Sequence, residues 1–216
     1  KKICKKNLYT KVWMGRVMGA PYINLDSIYH KLDWTDPNSL ILEIGSDRDE
    51  GSTKFLNDIA QKVNSKFITV DVVDYARQNL SDSDIEFVIY DSGSDWCKNY
   101  LAQSEYTIKI LYLDNFDWIW HPDQTLPEYI KQQIEEYNAR GVEMNNINSV
   151  QEHFAQLLHC YPKLNAQSLI VMDDTWLVPE HDVYIGKCGP IVHYLLLLGW
   201  RILHDTKGGI IMGRSI

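Results

Sequence analysis

Five short apolar runs constrain this chain more than anything else in it: Leu40–Ile44, Phe67–Val70, Ile85–Tyr90, Ile108–Leu113 and Ser168–Met172. Each is a nearly continuous block of Ile, Val, Leu and Phe rather than an apolar–polar alternation. An alternating strand keeps one face wet, whereas a strand apolar throughout is buried on both faces, as in a parallel sheet covered by helices. The segments between the runs have helical spacing. Ser52–Val63 puts Phe55, Leu56, Ile59, Ala60 and Val63 on one face, and its Gly51-Ser52-Thr53 start supplies hydroxyls for the free N–H groups. Gly189–Leu198 reads as a buried helix closed by Gly199. Two last runs, Trp200–Leu203 and Gly209–Met212, flank Asp205-Thr206-Lys207-Gly208, a hairpin signal. The expected fold class is α/β: a mostly parallel seven-stranded sheet, helices on both faces, and a C-terminal antiparallel hairpin strand.

At 216 residues one domain with one core is expected. Residues 1–39, with Trp13, Tyr22, Tyr29, Trp34 and the breaks at Pro21 and Pro37, read as an N-terminal arm around a domain spanning 40–216. Residues 118–149 are too long for a bare connection and read as an insertion, helical over Pro127–Arg140 and ended at Gly141; Ser149–Cys160 then forms the crossover helix. An insertion at this place serves as a lid, a substrate wall or a subunit contact. The 29 acidic against 21 basic residues, a formal charge of −8, disfavour a nucleic-acid partner. Pro190–Trp200, the longest apolar stretch, is broken by His193 and is too short to span a bilayer, and no apolar signal core follows the N-terminal lysines. Cys4, Cys97, Cys160 and Cys188 lie far apart without a C-x-x-C pair, which disfavours structural zinc and a disulfide framework and suggests a reducing, cytoplasmic setting. The start at Lys1 rather than Met suggests that upstream sequence was removed.

The chemistry-bearing residues stand at the strand ends, where a doubly wound sheet binds its ligands. The first run ends in Glu43-Ile44-Gly45 and the next helix opens at Gly51-Ser52-Thr53. A glycine there lets backbone approach a ligand, and the free N–H groups suit a carboxylate or phosphate. The dinucleotide pattern G-x-G-x-x-G is absent, and the lysine of a P-loop is missing. Asp71 closes the second run and is placed to accept hydrogen bonds from a ribose diol, although acids also follow strands as plain turn residues. Tyr90-Asp91-Ser92-Gly93-Ser94 closes the third run as a small polar turn suited to an adenine edge. Trp96 reads as core.

With Leu111-Tyr112-Leu113-Asp114 after the fourth run and Ile170-Val171-Met172-Asp173-Asp174 after the fifth, these motifs make the sequence resemble the class I S-adenosylmethionine-dependent methyltransferases. The likeness is to the macrocin- and novobiocin-type sugar O-methyltransferases and their cation-dependent, catechol-type relatives, over residues 40–213. It implies a Rossmann-like sheet, S-adenosyl-L-methionine held by Glu43, Gly45, Gly51, Ser52, Asp71, Asp91 and Ser92, and Mg²⁺ or a similar cation held by Asp114, Asp173 and Asp174. Three carboxylates converging without a Lys or Arg nearby in sequence repel one another, and a hard divalent ion relieves that repulsion. Such an ion would lower the pKa of an acceptor hydroxyl and align its oxygen with the methyl group. The bland alternative is that Asp173 and Asp174 only end a strand.

Asp117 and His121 are the candidate catalytic bases. In the catechol-type relatives a lysine stands three residues past the first metal aspartate; Asp117 takes that place here, as in the sugar-modifying members. The chain departs from the family in the charged stretch Ser46-Asp47-Arg48-Asp49-Glu50 and in the length of the segment after Asp114. Cys188 has no sequence partner as a nucleophile, Lys187 reads as a surface lysine, His153 and His159 lie six apart and cannot share a zinc, and Asn145–Asn148 read as a sugar pocket or as turns. The implied function is O-methylation of a small-molecule acceptor, a sugar, polyketide or phenol hydroxyl. The rivals are a hydroxylase on the same fold and a non-catalytic binding or assembly domain. Nucleic acid and membrane are not expected as partners; self-association through the aromatic arm or insertion is.

Overall fold

The structure, a computed structural model, describes residues 12–13, 16–17, 21–46, 51–74, 76–77, 85–116, 118–119, 126–206 and 208–215. Five strands follow the apolar runs: β1 (Ser39–Ile44), β2 (Lys66–Asp71), β3 (Glu86–Ile89), β4 (Thr107–Leu113) and β5 (Leu164–Asp173). A hairpin, β6 (Thr175–Val178) and β7 (Val183–Gly186), follows at once, and β8 (Arg201–Thr206) with β9 (Gly209–Gly213) closes the chain. The main sheet runs β8-β9-β5-β4-β1-β2-β3. Its five central and distal strands pair in parallel, and β9 pairs antiparallel with β5 and β8. This is the seven-stranded arrangement expected from the apolar runs and the hairpin turn.

Alternation along the strands sends side chains into two cores. Leu40, Leu42 and Ile44 of β1 join Leu111 and Leu113 of β4 on one face, under α2 (Gly93–Asn99), α4 (Asn146–Cys160) and α5 (Gly189–Leu197). Ile41, Ile110 and Tyr112 face the other way, against Leu56, Ile59 and Ala60 of α1 (Ser52–Val63) and against Tyr22, Leu25, Ile28 and Leu32 from the N-terminal segment. A strand covered on both faces has no room for an alternating pattern, and all six residues of β1 are buried.

One irregularity is compensated locally. Between Ile108 and Ile110 the β4–β5 register shifts, and the buried Ser168 hydroxyl donates to the Ile108 carbonyl at 2.6 Å while accepting from the Asn165 N–H at 2.9 Å. The side chain thereby satisfies polar groups that the shifted ladder leaves over.

Two elements grow out of the carboxyl rim. The long connection after β4 carries α3 (Glu128–Ala139), whose Tyr137 packs with Phe116, Met144 and Val72, the two rings of Phe116 and Tyr137 lying 5.1 Å apart. The expected helix ending at Gly141 and the crossover helix at Ser149–Cys160 are both present, the latter starting three residues earlier. Asn145 caps it by accepting from the Asn148 N–H at 2.8 Å, and Asn146 exchanges hydrogen bonds with the backbone of Ile119, so these asparagines serve turns and caps. Two elements lay outside the sequence reading: the β6–β7 hairpin, and α2, where a plain turn was expected.

Candidate functional site

Glu43 is fully buried at the end of β1. Its Oε1 accepts from the Ser52 hydroxyl at 2.8 Å, and its Oε2 accepts from Thr53 at 2.7 Å and Thr69 at 2.6 Å. Alternation points Glu43 at the face where α1 begins, so the carboxylate ties β1, β2 and the first turn of α1 together. A buried carboxylate is tolerable only with such donors, and the positive end of the helix adds to them. Glu43 and Ser52 thus spend these groups on each other, fixing the start of α1 against the ends of β1 and β2.

Gly45 follows with φ +98°. A Cβ at this position would sit 2.2 Å from the Asp114 carbonyl oxygen, so only glycine lets β1 and β4 approach this closely at their ends. Asp71 completes the rim: its Oδ2 accepts from the Ser46 N–H at 2.7 Å and its Oδ1 from the Val73 N–H at 3.0 Å. Gly51, with φ +103°, opens α1 beside the Tyr22 hydroxyl.

Beside this knot lies a cleft of about 420 Å³ lined by Val72, Asp91, Ser92, Asn115, Phe116 and Glu152 among others. Its floor is the carboxyl edge of β2, β3 and β4, and its roof is the α3–α4 turn. Ser92 caps α2, accepting from the Asp95 N–H at 3.1 Å. Asp91 pairs with Arg140 of the insertion at 3.2 Å. Glu152, from α4, accepts from the Ser94 N–H and hydroxyl, both at 2.8 Å, and from the Ser92 hydroxyl at 3.2 Å. Sequence reasoning missed Glu152: it lies mid-helix, 58 residues from Ser94, and nothing local marks it. Trp96 is core, as expected.

The acidic rim is built differently from the expectation. Asp114 and Asp174 do converge, but on an ammonium: Lys187 Nζ donates to Asp114 Oδ1 at 2.8 Å and lies 3.1 Å from Asp174 Oδ2. The lysine side chain is 1% exposed, and each carboxylate 15%. The surface role expected of Lys187 is therefore corrected, because the β6–β7 hairpin folds the chain back and delivers the side chain to the rim. Asp174 takes φ +44°, and its carbonyl accepts from the Lys187 N–H at 3.0 Å. Gly186, at φ +95°, allows this return; a Cβ there would stand 2.0 Å from the Asp174 oxygen. Asp173 turns aside, its Oδ1 accepting from the Asp174 N–H at 2.8 Å and its Oδ2 from the Tyr112 hydroxyl at 3.3 Å.

Neighbouring groups are locked. His153 on α4 is fully buried; its Nδ1 meets the Ser149 carbonyl at 2.6 Å, and its Nε2 has no hydrogen-bond partner among the described residues. Burial and then the nearby Lys187 charge lower its pKa to about 3, so the ring is neutral. Cys188 is buried, its thiol pushed up by desolvation, so it is no nucleophile. Trp118 of the insertion meets Trp176 of β6 edge to face at 6.2 Å, placing an aromatic wall by the rim. Asp117, His121 and the charged loop 47–50 lie outside the described residues. Among the described residues no cluster of three or more His, Cys, Asp or Glu is arranged to hold a metal, and no helix is long and apolar enough to cross a membrane.

No protein-family model and no curated protein sequence matches the chain. Solved structures do. The apo structure of CalS11, a TDP-rhamnose 3′-O-methyltransferase of calicheamicin biosynthesis, matches at TM-score 0.51 and 14% identity over 89% of this chain and 78% of that one. The MycE methyltransferase of the mycinamycin pathway, solved with Mg and SAH, matches at TM-score 0.49 and 12% identity over 91% of this chain and 55% of that one. At these identities the likeness is one of architecture: the chain has the Rossmann-like fold of the S-adenosylmethionine-dependent methyltransferases.

Proposed function

We propose that the chain is an S-adenosylmethionine-dependent methyltransferase that methylates a hydroxyl of a small polar molecule. The observation that carries this reading is the 420 Å³ cleft at the carboxyl rim, lined by Val72, directly after Asp71, and by Asp91, Ser92 and Asn115 at the ends of the neighbouring strands. Its volume lies within the range of small-molecule sites. The activity named for CalS11, whose fold this chain shares, supports the same reading.

Bound there, the cofactor would supply an electrophilic methyl carbon on a sulfonium, to which the acceptor oxygen would bond in line as the carbon–sulfur bond breaks and the neutral thioether leaves. Asp71 would hold the ribose: it stands at the carboxyl end of β2, its carboxylate fixed by the Ser46 and Val73 N–H groups. The methionine end would lie toward the start of α1, where Gly51 and Ser52 open the helix and Glu43 holds the Ser52 hydroxyl. Asp91 and Ser92 would edge the adenine. The acceptor would enter between the Trp118–Trp176 wall and the Asp114–Asp174 rim, whose carboxylates can receive its hydroxyl hydrogen bonds. Asp117, with His121 the second candidate, would take the acceptor proton.

A divalent ion does not fit the rim as built. Its ligand oxygens Asp114 Oδ1 and Asp174 Oδ2 are engaged by Lys187, and Asp173 faces Tyr112. No step is assigned to a metal.

Isothermal titration with S-adenosylmethionine tests the reading. Binding with a Kd of about 1–100 μM is expected, weakened roughly tenfold by Asp71→Asn, the equivalent of one hydrogen bond to a charged acceptor. A chain that binds no S-adenosylmethionine is not this enzyme, and an unchanged affinity in Asp71→Asn removes the ribose assignment.

A further inference from the structure

We infer that Lys187 is the cation of this acidic rim, a covalently tethered ammonium in the place where the metal-using relatives of this fold would carry a divalent ion. The inference rests on the methyltransferase reading for its catalytic meaning, but its geometry stands by itself. Two carboxylates from different strands, Asp114 after β4 and Asp174 after β5, meet Nζ at 2.8 and 3.1 Å. The ammonium is withdrawn from solvent at 1% exposure, and a buried lysine keeps its charge only when paired in this way.

The main chain on both sides prevents the side chain from swinging out. The Lys187 N–H is bonded to the Asp174 carbonyl, the Cys188 N–H donates to the Thr175 hydroxyl at 3.2 Å, and Gly186 packs against Asp174 with no space for a Cβ. Fully buried His153 lies close by with a neutral ring, so it adds neither charge nor counter-charge. An Mg²⁺ ion requires ligand oxygens at about 2.0–2.1 Å in near-octahedral array. Reaching Asp114 and Asp174 together would place it in the volume that Nζ fills, against a like charge. The third carboxylate of a chelating set is absent as well, because Asp173 is turned toward Tyr112 and its own neighbour's N–H.

Lys187 therefore acts as a positioning residue. It neutralises the rim carboxylates and holds them at a fixed spacing, so that an acceptor is oriented by hydrogen bonds to Asp114 and Asp174 rather than by chelation.

The test uses Mn²⁺ alone, read by the loss of its free paramagnetic resonance signal and by thermal melting. The full-length wild-type chain at millimolar Mn²⁺ is expected to bind none at the rim and to melt unchanged. Lys187→Met keeps the apolar stem, removes the charge, and is expected to bind one Mn²⁺ at least roughly tenfold tighter than wild type, the site vanishing again when Asp174→Asn is added. A merely structural lysine would lose stability on substitution without gaining an ion. If wild type binds one Mn²⁺ and Asp114→Asn abolishes it, the ion displaces the lysine and the inference is overturned; that arm holds even where Lys187→Met fails to fold. A folded Lys187→Met that gains no Mn²⁺ overturns it too. Neither readout needs a methyl donor, so a failure here is separable from a failure of the S-adenosylmethionine titration.

Discussion

His153 gives the fold a measurable sensitivity to acid. The ring is fully buried on α4, one nitrogen held by the Ser149 carbonyl at 2.6 Å and the other without a hydrogen-bond partner among the described residues, with the Lys187 ammonium close enough to oppose a second positive charge. Its pKa falls from 6.5 to about 3 on folding. Because the folded value lies below the unfolded one, the unfolded chain takes up the proton first as pH falls. The stability this group contributes is whole above pH 6.5 and is lost progressively between about pH 6.5 and pH 3. Integrated over that titration, the penalty is negligible at neutral pH and about 2 kcal/mol at pH 5, with a limiting slope of about 1.4 kcal/mol per pH unit. The comparison is His153→Leu, which fills similar space without a proton site. Urea unfolding of both proteins at pH 7 and pH 5 separates this residue from every other titrating group, since those groups are common to the pair. The stability difference between leucine variant and wild type should move by about 2 kcal/mol in the leucine protein's favour on acidification. Parallel pH profiles would refute the reasoning, because they would require the ring to be protonated in the fold or exposed.

Two further predictions concern the rim. Gly45→Ala would drive a Cβ to 2.2 Å from the Asp114 oxygen at a backbone angle of +98°; strain and overpacking together should cost about 2–6 kcal/mol in urea unfolding, and a loss below about 1 kcal/mol would contradict the close approach of β1 and β4. Glu43→Ala removes the acceptor shared by the Ser52, Thr53 and Thr69 hydroxyls and should lower stability by about 2–4 kcal/mol in the same assay, with Glu43→Gln costing roughly half as much because the amide retains one acceptor. A Glu43→Ala protein as stable as wild type would mean that the carboxylate is not what anchors α1.

The interior of the fold was legible because burial writes itself into hydrophobic period. Ser52–Val63 was bounded correctly at both ends, since its apolar face, its hydroxyl start and the αL residue Asn64 after it are all local signals. The α2 helix escaped because it has only seven residues and rests on one cap at Ser92, with Trp96, Cys97 and Leu101 sunk into a core supplied by distant strands. The β6–β7 hairpin was legible in principle: Thr175–Val178 and Val183–Gly186 flank Pro179-Glu180-His181-Asp182, a strand–turn–strand pattern.

The connection that carries α3 and the 175–186 hairpin both leave from carboxyl ends of strands, the fourth and the fifth. The first roofs the cleft with Gly141, Val142 and Glu143; the second returns Lys187 to Asp174, from which it departed, and to Asp114, 73 residues earlier. A pair of acids at neighbouring strand ends is unstable alone, and its sequence neighbourhood holds no basic residue to relieve it. The relief comes from the turn geometry that Asp174 at φ +44° and Gly186 at φ +95° permit, a signal of backbone conformation rather than of composition. Acidic strand ends therefore do not by themselves predict a metal: the counter-charge must be sought in whichever segment the next turn brings back, and a lysine immediately after a glycine and ahead of a buried helix is where this chain carries it.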